Sequence, residues 1–219
     1  MIGAFLEKAE IRAEEAAQCD SVGGFVRQQG IECARELLLM MRHDRGPERL
    51  LGFEVMHDQR LRDALLLHDI GKIGVPDRVL LKEAPLDDEE WELMKKHSEW
   101  GAKLLDNFET YRDIANIVLS HQERYDGNGY PQGLAGEQIP LEARIIGVAD
   151  AFHAMTADRP YRKALSPAHA AREILKNRGT QFDPDLANAF VRGLLREGDI
   201  TEADLDGLEL PDVRSADLH

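Results

Sequence analysis

Apolar residues recur at three- and four-residue intervals along almost the whole chain, and no stretch keeps the apolar/polar alternation of a half-buried strand. The pattern predicts an all-α domain. A charged helix of modest amphipathicity is expected over 4–18, closed by the Asp-Ser and Gly-Gly pairs within 20–24. Further helices are expected over 25–42, from Pro47 onward, and over 60–70, the last stopping at Gly71. Asp87 and Asp88 offer an N-cap for a helix over 89–107, with acidic residues well placed in its first turn. A helix over 111–125 runs into DGNGYPQGLAG, where four glycines among residues 127–136 rule out helix and strand and demand a shaped loop. Helices over 141–157, 166–177 (Ser-Pro as cap and first residue) and 183–197 complete the set. This divides the chain into an N-terminal helix or linker over 1–24, a domain over 25–195, and an acidic, weakly periodic tail over 196–219 that is expected to fray.

Several ionisable residues stand on the apolar faces of these helices. His68 lies at helical spacing from Leu61, Ala64 and Leu65, and Asp69 sits about 100° further round. His97 shares a stripe with Leu93, Met94, Gly101 and Leu104. His121 follows Ile114, Ile117 and Val118, and Asp150 lies among Ile146, Gly147 and Ala154. One inward histidine is ordinarily a satisfied core residue. Repeated placement on four helices is different, because buried ionisable groups are costly unless paired or metal-bound, so the set argues for convergence on one centre. Imidazole and carboxylate donors together suit a divalent transition metal, Fe or Mn, with Zn or Ni as further candidates, and an aspartate can bridge two ions. A two-metal centre generates hydroxide near neutral pH and clamps phosphoryl oxygens, so phosphoester hydrolysis is the natural chemistry. Lys72, one turn beyond His68, reads equally as a cation at a helix C-terminus and as a group that neutralises a phosphate oxygen. Arg159, Arg162 and Lys163 form a basic cluster that reads by default as a solvated surface and, from its position shortly after Asp150, also as the rim of a phosphate site.

Charge narrows the partners. Among 219 residues, 41 Asp+Glu oppose 27 Lys+Arg, a formal charge of −14 that works against any sequence-independent grip on polymeric nucleic acid or an anionic membrane. A local basic pocket for a small anion remains compatible with it. Apolar runs such as 64–67 are far below the roughly 20 residues that cross a bilayer. Cys19 and Cys33 have no CxxC spacing, and no secretory signal is read, which makes the cytoplasm the default compartment.

Taken together, HDIGKIGVPD at 68–77, the isolated His97, HQERYDGNGYPQGLAGEQIP at 121–140, ARIIGVADAFHAMTADRPYRKAL at 143–165 and GTQFDPDLANAF at 179–190 resemble the HD-GYP subgroup of the HD phosphohydrolase superfamily. The resemblance covers roughly 25–195. It implies an HD-domain helical bundle with the HD-GYP extension, a centre of two or three metals, and hydrolysis of cyclic di-GMP to pGpG or GMP. It further implies that His68 and Asp69 are the HD pair with Asp69 bridging, that His97, His121 and Asp150 are further ligands, and that Lys72 lies near the scissile phosphate. By the same resemblance Gly129, Tyr130 and Pro131 shape the nucleotide pocket. Members usually carry a sensor or receiver module; none is read here, and the N-terminal helix is the candidate for dimerisation or for contact with a partner.

Three departures from the family pattern bear on the metal count. The run His121-Gln122-Glu123 replaces His-His-Glu, no histidine precedes the HD pair in the segment 31–36, and His153 stands where the family has Asp. Glu32, Glu36 and His153 are the candidate replacements, whereas His43 and His57 are expected to face solvent. The expected function is therefore a metal-dependent cyclic di-GMP phosphodiesterase. The alternative is a degenerate domain that senses a cyclic dinucleotide or docks a protein.

Overall fold

The computed structural model describes residues 59–158 and 163–211. Within them the chain forms α1 (Gln59–Leu67), a 3-10 turn (Ile70–Gly74), α2 (Asp77–Leu80), α3 (Asp88–Lys95), α4 (His97–Asp106), α5 (Arg112–Ser120), α6 (Leu141–Thr156), α7 (Pro167–Lys176) and α8 (Pro184–Glu197), with short 3-10 turns before α5, before α6 and after α8. Among the described residues, extended pairing is confined to the isolated bridges Asp126 to Ala135 and Arg178 to Phe182, so the all-α expectation holds. The helices expected over 4–18, over 25–42 and from Pro47 lie outside the described residues, as do Glu32, Glu36, His43 and His57.

Where capping signals were strong, the expected boundaries are met. Asp87 caps α3 through a reciprocal box with Glu90 (2.9 and 3.0 Å). Ser166 caps α7 ahead of Pro167, and Asp183 caps α8 by accepting from the amides of Asp185 and Leu186. Two expected helices are interrupted. The helix over 60–70 ends at Leu67, and the chain then tightens into the 3-10 turn; the helix over 89–107 breaks at Lys96, whose amide bonds the Leu93 carbonyl three residues back. The helix over 111–125 is shorter, closing at Ser120 with His121 as its C-cap. All three breaks fall at a histidine of the candidate centre.

The apolar stripe of α6, with Ile146, Val148, Ala149 and Phe152, forms the middle of the core, covered by Ala64 and Leu65 of α1, Ile117 and Val118 of α5, and Ala170, Ala171 and Ile174 of α7. Helix α4 packs on α5 and on the 3-10 turn. That second contact is backbone against backbone: a Cβ added at Gly71 would stand 1.9 Å from the His97 carbonyl oxygen and 2.5 Å from the Gly101 amide nitrogen. Only glycine lets the turn lie this close, and the closeness brings Asp69 and Lys72 against His97.

The tail corrects one expectation. Residues 198–211 are not frayed: Ile200 and Leu205 are buried, and Arg172, Arg178 and Arg192 hold the carbonyls of Asp204, Glu209 and Leu210. An acidic composition without period concealed two apolar anchors. Gly71→Ala is expected to destabilise the chain by about 3 kcal/mol, because the obstructing atoms are backbone and cannot swing aside; urea denaturation followed by circular dichroism measures it.

Candidate metal centre and adjoining cleft

His68, His97 and His121 share one local construction. Each follows a helix end, and each ring Nδ1 lies against the carbonyl three residues back: Leu65 at 2.8 Å, Met94 at 2.7 Å and Val118 at 2.6 Å. Carbonyls in the last turn of a helix have no partner within the helix, and here an imidazole N–H donates to each. A carbonyl can only accept, so Nδ1 carries the proton and the neutral ring has its lone pair on Nε2. The same bonds fix the ring orientation. Three helix ends, each with partial negative charge, thus point toward one buried space, an arrangement that favours a cation.

The Nε2 atoms meet there. His97 Nε2 lies 3.2 Å from His121 Nε2, and these atoms lie 3.5 and 3.9 Å from Asp69 Oδ1. The other oxygen of Asp69 faces the opposite way: Oδ2 is 3.5 Å from His68 Nε2 and 2.5 Å from Lys72 Nζ. Asp150 Oδ1 stands 3.8 Å from His68 Nε2. All three histidines and Asp69 are buried, while Asp150, with 29% of its side chain exposed, opens toward solvent.

Burial disfavours charge on His121 and His97, and the neighbouring imidazoles and Lys72 add to it, so His121 is pushed down to about 3 and His97 below its usual value. Burial works against a charged His68 as well, but the carboxylates of Asp69 and Asp150 outweigh it and push it up to about 9. Burial alone would raise Asp69 and Asp150; Lys72 and the imidazoles, His68 first, hold Asp69 well below the carboxylate range, and the facing His68 ring, 3.8 Å away, holds Asp150 at about 2. Two unprotonated Nε2 lone pairs at 3.2 Å repel each other unless a cation lies between them. His68 Nε2 is buried with no hydrogen-bond partner. Ligand bonds of about 2.0–2.2 Å place the donors of one ion about 3.0–3.5 Å apart, close to the separations found here. Asp69, His97 and His121 fit a divalent metal ion.

The glycine-rich loop hangs from one side chain. Glu123 accepts backbone N–H groups from Gln132 (2.6 Å), Gly133 (3.2 Å) and Leu134 (3.1 Å). Gly129 is required by close approach, since a Cβ there would meet the Arg124 amide at 2.3 Å. Tyr130 is turned toward the histidines, its ring edge-on to His97 with centroids 6.5 Å apart. The amides of Tyr125 and Asp126 bond the carbonyls of Gln181 and Thr180, so the 179–183 stretch braces the loop from below. Between them lies a cavity of 460 Å³ that reaches His121, Asp150, Gly129 and Tyr130.

Of the expected pocket residues, Gly129 and Tyr130 line this cavity and Pro131 does not. Lys163 is exposed and away from the lining; Arg159 and Arg162 lie outside the described residues. Gln122 lines the cavity, and His153, buried one turn beyond Asp150, stands outside the group formed by Asp69, His97 and His121. Sequence reasoning missed Trp91 and Lys95, which line the cavity from α3, and Arg144, which lines it from α6 and is paired with Asp183 at 2.6 Å. It also gave Glu123 no part in holding the loop. A lone tryptophan among the charges of α3 was the available signal for Trp91; the others depend on contacts between distant segments.

With this geometry in view, comparison with known proteins is informative. The HD domain family model matches residues 44–186, and the chain belongs to that family. It is 48% identical over 146 residues to the cyclic di-GMP phosphodiesterase response regulator RpfG of Xanthomonas campestris, covering 65% of this chain and 38% of that protein. It is 39% identical over 134 residues to the 3'3'-cGAMP-specific phosphodiesterase 3 of Vibrio cholerae, covering 61% of this chain and 29% of that protein. The chain therefore spans little more than a third of the length of these curated relatives, or less. Among solved structures, the fold is similar to Bd1817, an HDG"Y"P protein of Bdellovibrio bacteriovorus, with TM-score 0.59 and 20% identity over 77% of this chain and 52% of that one. Among the described residues, no helix is long and apolar enough to cross a membrane.

Adding Mn2+ to chelator-treated protein at about 100 times its Kd is expected to stabilise it by about 2.7 kcal/mol, raising Tm by roughly 5–10 °C. His121→Ala is expected to abolish that rise while retaining the helical spectrum, as thermal melts with and without metal will show. Glu123→Ala removes the acceptor of three loop amides and is expected to make the 126–136 loop a preferred cleavage site in limited proteolysis.

Proposed function

We propose that this chain is a metal-dependent phosphodiesterase that opens the ring of cyclic di-GMP, giving pGpG or GMP. The observation that carries the reading is the two-sided environment of Asp69. One oxygen faces His97 and His121, the other faces His68, and Asp150 stands on the second side, where it lines the 460 Å³ cavity. His97, His121 and Asp69 Oδ1 would hold one ion; His68, Asp150 and Asp69 Oδ2 would hold a second, with Asp69 bridging. Fe or Mn suits these donors best, with Zn or Ni also compatible. When bound, such ions supply a hydroxide nucleophile near neutral pH and offset charge on the phosphoryl oxygens.

The protein's own groups prepare the rest. Lys72, beside Asp69 Oδ2, brings a positive charge to the rim of the centre, where it can offset charge gathering on the phosphate in the transition state. Burial, together with the charges of Asp69 and Asp150, pushes the Tyr130 phenol well above its usual value, so it keeps its proton and serves as a hydrogen-bond donor to a phosphate oxygen or to the departing sugar oxygen. Gly129 allows the loop to approach closely enough to place that hydroxyl. Lys95, Arg124 and Arg144 line the cavity beside Glu123, Asp150 and Asp183, and their N–H groups are the donors available there to phosphate oxygens. The names of the relatives, one specific for 3'3'-cGAMP, support a cyclic dinucleotide as the substrate class.

Protein loaded with Mn2+ or Fe2+ and incubated with cyclic di-GMP is expected to yield pGpG or GMP, separated by chromatography. Asp69→Asn should lower kcat by at least about 1,000-fold and Lys72→Met by about 100-fold. Binding of cyclic di-GMP without cleavage under every divalent metal would overturn the reading in favour of a sensor.

A further inference from the structure

Helix α3 has the sequence DEEWELMK and buries none of its residues, yet it carries an indole. Trp91 keeps 47% of its surface exposed, forgoing apolar burial that the core gains elsewhere. The ring is not directed at open solvent. It lines the 460 Å³ cavity that reaches His121 and Asp150. It stands edge-on to Tyr130, with centroids 6.3 Å apart and planes at 82°, and Tyr130 stands edge-on to His97 in turn. A line of rings thus runs from the rim of the cavity to the metal centre. Lys95, one helical turn beyond Trp91, lines the same cavity with its Nζ 6.0 Å from the Tyr130 centroid.

We infer that Trp91 is a base-stacking residue that takes a purine of the substrate against its indole face, setting the attached phosphodiester toward Tyr130 and the histidines. The inference rests on the phosphodiesterase reading for the identity of the substrate, but not for the stack itself. With nearly half of its surface in water, the indole has face area to offer, and a planar base would bury it. Stacking is tolerant of base identity because every base has a π face. Larger rings stack over more area, so purines should be preferred to pyrimidines, with little separation of guanine from adenine. Lys95 lies where a ribose phosphate attached to the stacked base would pass.

The test uses the full chain loaded with Mn2+ and the mononucleotides GMP, AMP and CMP, none of which is a phosphodiester. Binding of GMP and AMP should quench tryptophan emission, with affinities within about threefold of each other and above that for CMP. Trp91→Phe should retain the affinity, measured by calorimetry, and lose the quench, leaving only Trp100 to report. Trp91→Ala should weaken GMP binding by roughly 5- to 150-fold. Unaltered GMP affinity in Trp91→Ala overturns the stack, and so does a Trp91→Phe variant that loses GMP affinity as fully as Trp91→Ala. The two readings can fail separately. GMP quenching without cyclic di-GMP cleavage upholds the stack and removes the phosphodiesterase; cleavage with unchanged KM in Trp91→Ala does the reverse.

Discussion

The hydrogen bond from an imidazole Nδ1 to the carbonyl three residues back, repeated at His68, His97 and His121, is the constraint on which the centre depends. It satisfies a helix end that would otherwise need water in a dry interior, and in each neutral ring it leaves the far nitrogen as the acceptor, as at His97 and His121. Everything downstream follows from that commitment. The rings can approach as closely as they do only around a cation, the neighbouring aspartate must stay ionised, and the helices must stop where they stop. Helix termination and ligand preparation are one event in this chain.

That coupling explains what the sequence made legible. Periodicity located the helices, and it turned His68, His97 and His121 inward because each sits on the stripe of the leucines, isoleucines and valines before it. Periodicity could not show that the histidines end their helices, because an inward stripe runs through His97 and His121 without any break in pattern. Gly71 gave a stop signal, but its reason is tertiary: it lies against the backbone of another helix. Trp91, Lys95 and Arg144 reached the cavity only when α3 and α6 were placed around the loop, and Ile200 and Leu205 were hidden by the acidity of their neighbours.

The electrostatics resolve the tension between an acidic protein and an anionic ligand by distance. The formal charge is −14, yet the cavity is locally balanced: Lys95, Arg124 and Arg144 line it together with Glu123, Asp150 and Asp183, and Lys72 is paired with Asp69 beside it. Screening shortens the reach of surface charge to about 8–10 Å at moderate salt. A group within the cavity is governed by these nearby charges of both signs and by whatever occupies the centre, more than by the net charge.

Glu123 stands two residues from His121 and holds three amides of the loop that carries Tyr130. A ligand of the centre and the anchor of the pocket wall are therefore parts of one short rigid segment. A shift of the loop would therefore bear on the orientation of the imidazole, and a shift of the imidazole on the wall of the cavity. In mechanical terms the two are coupled through a few covalent bonds, whereas Trp91 and Lys95 reach the same cavity from α3, outside that segment.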